Sequence, residues 1–167
     1  MNSENINYIK PSLDLIDDYL VMVNNPDISR FISKKSKIYT YQEEKEYIEN
    51  KINNKAMMYS MLEKNTKAFI GNIEIMNLTD SSCEIGIVIT ESMQNKHYGK
   101  EALSTLINYI FNELNLPEVT LVVFSNNERA IHCYEKLGFI RYKVVKNVKV
   151  EDNKQIDDIY MRLKKVK

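Results

Sequence analysis

The chain has 167 residues, 44% of them hydrophobic and 28% charged, which suits one domain spanning residues 1–167 around a single sizeable core. Lys and Arg together number 23, as do Asp and Glu, so the formal net charge is zero and the basic excess of a nucleic-acid binder is missing. No apolar run is long enough to span a bilayer, and the first residues lack the charged and apolar regions of a signal peptide, so the expectation is a cytoplasmic protein without a membrane partner.

Asn7, Tyr8 and Ile9, ahead of Pro11, form a short first strand. Ser12 caps a helix to about Asn24, with Leu13, Ile16, Leu20 and Val23 on one face. Asn24-Asn25-Pro26-Asp27 ends it, a short helix covers residues 28–33, and residues 34–39 are a polar connection. Thr40-Tyr41-Gln42-Glu43 is a capping box that opens a helix to about Asn54. Glu43, Glu44, Glu46 and Glu49 on this helix either present negative charge to a cationic partner or, with Lys45 and Lys51 interleaved, form a solvated face. Strands follow at residues 57–63, 68–77 and 83–90. The polar run 91–100 leads into a helix through Leu114, striped by Leu103, Leu106, Ile107, Ile110 and Leu114. Pro117 separates it from an apolar strand at 118–124, and two strands, 141–150 and 159–163, close the chain around a polar turn at 151–155.

Four glycines only, Gly71, Gly86, Gly99 and Gly138, make their placement informative. Gly86 inside an apolar strand marks a bulge or a close backbone approach. Gly99, where a polar loop enters a helix, offers free N–H groups and a positive dipole end to an anion. Cys83 and Cys133 form no C-x-x-C pair, and two histidines are too few for a zinc site, so two reduced thiols and no metal are expected.

After the strand at 118–124, Ser125-Asn126-Asn127 supplies capping oxygens, Ala130, Ile131, Tyr134 and Leu137 recur at helical spacing, and Gly138 sits at a C-cap before Phe139. The stretch Asn127-Glu128-Arg129-Ala130-Ile131-His132-Cys133-Tyr134-Glu135-Lys136-Leu137-Gly138-Phe139 resembles the N-x-R-A-I-x-x-Y-E-K-L-G-F signature of the GNAT (Gcn5-related) N-acetyltransferases, and the order of elements resembles theirs along nearly the whole chain. The resemblance implies an α/β sandwich with a central mixed, mostly antiparallel sheet, a splayed fourth and fifth strand, and flanking helices. It implies acetyl-CoA as co-substrate and an amine acceptor, with a homodimer common in the branch.

By the same resemblance, the loop Gln94-Asn95-Lys96-His97-Tyr98-Gly99-Lys100 binds the pyrophosphate of acetyl-CoA, with Gly99 at the second family glycine and His97 replacing the first. A bulge in the Gly86 strand would splay it, leaving Ile87, Val88 and Ile89 to pair with the pantetheine arm by strand addition. Asn127 would hydrogen-bond the cofactor arm as well as cap its helix, and the binding set extends to Ala130, Tyr134 and Lys136. Tyr134 takes the place of the family's general acid, against the alternative of a tyrosine that only packs the core. Glu84 and Glu74, on central strands, are candidate bases or else outward-facing strand residues. Cys133 is expected on another helix face than Tyr134.

Asn24 to Asp27, the Ile70-Gly71-Asn72-Ile73 strand and residues 111–116 resemble the branch holding ribosomal-protein N-terminal and spermidine N-acetyltransferases. The implied activity is acetyl transfer to a primary amine of a protein N-terminus, a polyamine or an amino sugar. A non-catalytic acyl-CoA-binding module of the same fold is the rival, kept open by His97.

Overall fold

The computed structural model describes residues 1–35 and 37–166, so Ser36, within the predicted polar connection, and Lys167 lie outside the described residues. In chain order the elements are β1 (Ile6–Ile9), a 3-10 turn at Leu13–Leu15, α1 (Ile16–Asn24), α2 (Pro26–Ile32), α3 (Tyr41–Asn53), β2 (Met57–Glu63), β3 (Phe69–Met76), β4 (Ser82–Ile89), a second 3-10 turn at Glu91–Met93, α4 (Tyr98–Asn112), β5 (Glu118–Phe124), α5 (Glu128–Lys136), β6 (Ile140–Glu151) and β7 (Lys154–Lys164).

Local side chains set several boundaries. The Ser12 hydroxyl accepts from the Asp14 amide, so the expected first helix opens as a 3-10 turn before α1. α2 starts at Pro26, two residues before the expected Ile28, because Asn25 accepts from the Asp27 amide and Pro26 occupies the first position, where its missing N–H costs nothing. The capping box of α3 forms as read, with Thr40 and Glu43 exchanging bonds. The closing strands are longer than expected. Asp152 and Asn153, at φ 49° and 59°, make a tight two-residue turn of the mirror-image kind that suits a hairpin. The polar start of β7 hides its strand character in the sequence, since Asp157 spends its carboxylate on Lys146 and the Asn147 amide across the hairpin.

The strands form one sheet in the order β1-β2-β3-β4-β5-β7-β6, with every pair antiparallel except β4–β5. Two apolar layers cover it. On one face α4, Ile131 of α5 and Phe139 pack on Ile73, Ile85, Leu121 and Met161, and Leu106 and Ile110 are fully buried. Burying each such side chain stabilises the fold by roughly 1.5–3 kcal/mol. On the other face, Tyr19 and Met22 of α1, Ile28 of α2 and Ile48 of α3 pack on Met58 and Phe69, with Val88 against them.

The site is positioned by a fault in this sheet. β4 and β5 pair only at Ser82–Glu118, Cys83–Val119 and Glu84–Thr120, and part beyond Glu84, as expected of a splayed pair. A bulge at Gly86 is not the cause: the β3–β4 register runs unbroken through Glu74–Gly86. The irregularity lies one strand away, where Met61 pairs with Gly71 and Leu62 with Phe69, leaving Ile70 as the extra residue. Gly71 there takes φ +150°, and a β-carbon built on it would lie 2.0 Å from the Val88 carbonyl oxygen. The close backbone approach thus belongs to Gly71, while at Gly86 a β-carbon would meet only the terminal methyl of Met76, at 3.1 Å.

Candidate active site

Strand alternation puts Glu84, Gly86 and Val88 on the α1–α3 face of β4, and Ile85, Ile87 and Ile89 on the α4–α5 face. With β5 drawn aside, a cavity of about 1480 Å³ opens at the split and takes walls from both layers. Of the residues singled out in the sequence, it brings together both candidate bases, Glu74 and Glu84, with Gly86, Ile87, Val88, Ile89, Gln94, Gly99, Asn127, Ala130 and Tyr134, and Glu43, Glu44 and Glu46 of α3. Asn95, Lys96, His97 and Lys100 stand exposed at the entry to α4, with Tyr98 half-buried, and none of the five forms the cavity wall. Lys136, in the last turn of α5, is exposed and likewise off the wall.

The edge of β4 from Ile85 to Ile89 that faces β5 carries no strand. Gln94 finishes this edge: its amide donates to the Ile89 carbonyl at 3.0 Å, and its oxygen accepts from Arg129 at 3.0 Å, tying β4 to α5. Beyond it, Asn95 and His97 both hold left-handed backbone, at φ 61° and 67°, and His97 caps α4 through its backbone alone. The histidine therefore already takes the conformation that a glycine would supply. A β-carbon on Gly99 would meet only Ile89 Cγ1, at 3.8 Å, so the protein's own packing does not call for glycine there and the helix entry is open to an anion.

Tyr134 sits on the cavity wall with its ring edge-on to Phe139, centroids 5.9 Å apart. Burial, with a smaller push from Cys133, raises its phenol well above the ordinary value, so it keeps its proton through the neutral range. Asn127 caps α5 by accepting from the Ala130 amide at 3.3 Å. Cys133 was expected on another helix face; it lines the cavity beside Tyr134, because adjacent helical positions lie only about 100° apart and the cavity is wide enough to meet both. Burial pushes its thiol up, against Lys100 and Arg129, so it stays protonated.

On the other face, Glu84 accepts from Asn77 at 2.9 Å and lines the cavity. Glu74 is committed to an ion pair with Lys51. Glu44 of α3, left open in the sequence between facing a cationic partner and lying on a solvated face, is buried and lines the cavity. Asp158 of β7, which the sequence did not single out, is also buried, paired with Lys34 at 2.8 Å. The Asn24–Asp27 segment holds the α-helical wall in place: the Asn24 side chain bonds the Tyr39 backbone twice, at 2.9 and 2.8 Å, and Asn25 reaches Glu91 at 2.6 Å. Among the described residues no three His, Cys, Asp or Glu side chains gather as a metal site, and no helix is long and apolar enough to cross a membrane.

Comparison with known proteins agrees with this geometry. Acetyltransferase PseH of Campylobacter jejuni is 26% identical over 119 residues, 71% of this chain and 73% of its own length. A spermidine N(1)-acetyltransferase of Vibrio cholerae is 29% identical over 103 residues, 60% of each protein. Among solved structures, a GNAT-family acetyltransferase from Bacillus anthracis superposes with TM-score 0.85 at 18% identity, over 98% of this chain and 97% of its own. The Vibrio cholerae spermidine N-acetyltransferase in complex with CoA and spermine gives TM-score 0.85 at 20% identity, over 96% and 95%. A family model for the acetyltransferase (GNAT) domain matches residues 7–140, and the chain belongs to that family of acetyltransferases.

Proposed function

We propose that residues 1–167 act as one catalytic domain, transferring acetyl from acetyl-CoA to a primary amine by direct attack. The observation that carries this reading is the coincidence, in one cavity, of an unpaired β4 edge at Ile85–Ile89 with a half-buried, protonated Tyr134. Ile87, Val88 and Ile89 pair with the amide-bearing pantetheine arm as an added strand. The amides entering α4 at Tyr98, Gly99 and Lys100, with the backbone of Asn95, Lys96 and His97 beside them, hold the pyrophosphate. Gln94, Asn127, Ala130 and Lys136 complete the cofactor side.

The acceptor nitrogen attacks the thioester carbonyl carbon as a neutral amine. Glu84, directly or through water, takes the proton that the nitrogen loses. A backbone N–H near Ile89 stabilises the oxyanion. When the tetrahedral intermediate collapses and the C–S bond breaks, Tyr134 gives its proton to the departing sulfur; its phenolate is reprotonated from solvent, to which Glu84 returns the amine proton. The phenol's raised value suits a proton donor to a thiolate, and burial keeps water from competing. No metal takes part. The acceptor is a small-molecule or peptide amine rather than a nucleic acid or membrane; polyamines are tried first because spermidine N-acetyltransferases are among the similar proteins. A cytoplasmic location and a homodimer fit the same reading.

The test is incubation with acetyl-CoA and spermidine, amino sugars, aminoglycosides and peptides with free N-termini, followed by mass detection of acetylated product. Mass detection avoids a thiol dye that Cys133 would consume. Product from any member supports the reading. Acetyl-CoA binding with no product across the panel would instead make the chain an acyl-CoA-binding module.

A further inference from the structure

One carboxylate of the cavity has no structural duty. Glu44, in the first turn of α3, is only 5% exposed and lines the cavity wall. Among the described residues no donor or cation reaches its side chain, and burial alone acts on its carboxyl, raising it above the usual carboxylate range. The other carboxylates of the wall are either engaged, Glu43 by Lys37 at 2.8 Å and by Thr40, Glu46 by Gln42 at 2.8 Å, Glu74 by Lys51, Glu84 by Asn77 and Asp158 by Lys34, or, at Asp27 and Glu128, exposed to solvent. Those ion pairs also commit Lys34 and Lys37, the two lysines of the wall, and Arg129 is held by Gln94.

A carboxylate on a largely buried side chain with no protein partner destabilises a fold, and the α3 dipole offsets only part of that cost. A visiting ammonium group supplies both the charge and the donors that are missing. Glu44 stands on α3 in the α1–α3 layer and Tyr134 on α5 in the layer across the sheet, and the one cavity takes wall from both, so an ammonium at Glu44 and a nitrogen attacking near Tyr134 are two groups of one acceptor.

We propose that Glu44 anchors a second, non-reacting ammonium group of the acceptor, so that the cleft selects di- and polyamines over monoamines. The inference rests on the acetyl-transfer reading above and names its acceptor class. Tyr47, on the same wall one helical turn from Glu44, and the buried Tyr19 flank the anchor.

The experiment is calorimetric titration of the full-length protein, with and without CoA, using straight-chain α,ω-diamines and monoamines of the same length, on wild type and Glu44→Gln. In the wild type at least one diamine should bind about tenfold or more tightly than its monoamine, the worth of one charged hydrogen-bonded contact. Glu44→Gln should abolish that preference, leave monoamine and acetyl-CoA affinity unchanged, and raise the KM for diamines with little change in kcat. The wild-type comparison needs no variant, so a poorly folding Glu44→Gln does not decide the matter. Absence of any diamine preference in the wild type overturns the proposal, as does a preference that survives in a folded Glu44→Gln protein. An equal fall in kcat on diamines and monoamines would make Glu44 a base instead. Acetyl transfer without diamine preference sinks this inference alone; CoA binding without transfer to any amine sinks the reading beneath it.

Discussion

Gly71 and Val88 approach so closely that the Val88 carbonyl oxygen occupies the space a Gly71 β-carbon would need. That contact lies across the β3–β4 pair, at the end of β4 where β5 has already departed. Only glycine leaves room for the β4 backbone to hold this course, and φ +150° excludes other residues as well. Gly71→Ala should therefore cost about 1–3 kcal/mol from backbone strain, with the clash added to it, and should weaken acetyl-CoA binding by displacing Val88 and Ile89. Gly86→Ala meets only the flexible end of Met76 and should cost less. Urea denaturation with parallel acetyl-CoA titration measures both, and equal costs for the two variants would refute the ranking.

Tyr134→Phe removes the phenol and keeps the ring against Phe139. Turnover should fall by roughly 10²–10⁴, the usual worth of a positioned acid, while acetyl-CoA affinity holds. The pH profile carries a second mark. Because burial raises the phenol above its ordinary 10.0, the acid form persists as pH rises, and its loss should not bend the kcat profile until beyond that value. A descending limb below pH 10 that vanishes in Tyr134→Phe would show an unshifted phenol and defeat the argument.

His97 stands where the family places a glycine, and its φ of 67° is left-handed backbone, which costs a residue with a β-carbon roughly 1–2 kcal/mol. Glycine relieves that strain but gains freedom in the unfolded chain, worth about 0.5–1 kcal/mol in the other direction. His97→Gly should therefore leave stability unchanged or raise it by up to about 1.5 kcal/mol. Acetyl-CoA affinity should be retained or raised, since the exposed imidazole makes no bond that holds the loop. A tenfold loss of affinity would give the imidazole itself a place in phosphate binding.

What the sequence made legible was local. The Thr40–Glu43 box, the Asn127 cap and the left-handed Gly138 act within one helical turn, and each appears where its residues announce it. The 127–139 motif also carried the splayed sheet, by family resemblance. What stayed hidden depends on chain segments far apart. Gly71 meets Val88 across strands, so Gly86, the glycine embedded in the more apolar strand, drew the bulge assignment instead. Glu44 read either as one acid facing a cationic partner or as part of a solvated, mixed-charge face, with nothing to set it apart from Glu43, Glu46 and Glu49. Its burial follows from helical phase: it lies four residues before the fully buried Ile48 and so shares the inward face of α3. That spacing was present in the sequence, but the interleaved lysines masked it.

The helix that presents Glu44 should itself be sensitive to acid. Lys37, followed by the Thr40 amide and hydroxyl, lowers the Glu43 carboxyl from 4.5 to about 2. A carboxyl lowered in the folded state stabilises the fold above its unfolded value and loses that contribution as pH falls through the folded one. The capping box should thus hold α3 fully at neutral pH and release it between about pH 4.5 and about 2. Glu43→Gln should lower the melting temperature at neutral pH and flatten the pH dependence of stability across that window. Thr40→Ala should do the first and, because Lys37 still faces Glu43, retain part of the second. Thermal melts of the three proteins at stepped pH make the comparison. If Thr40→Ala matches wild type at neutral pH, the box is not what fixes the start of α3. The placement of Glu44 would then rest on the packing of Ile48 alone.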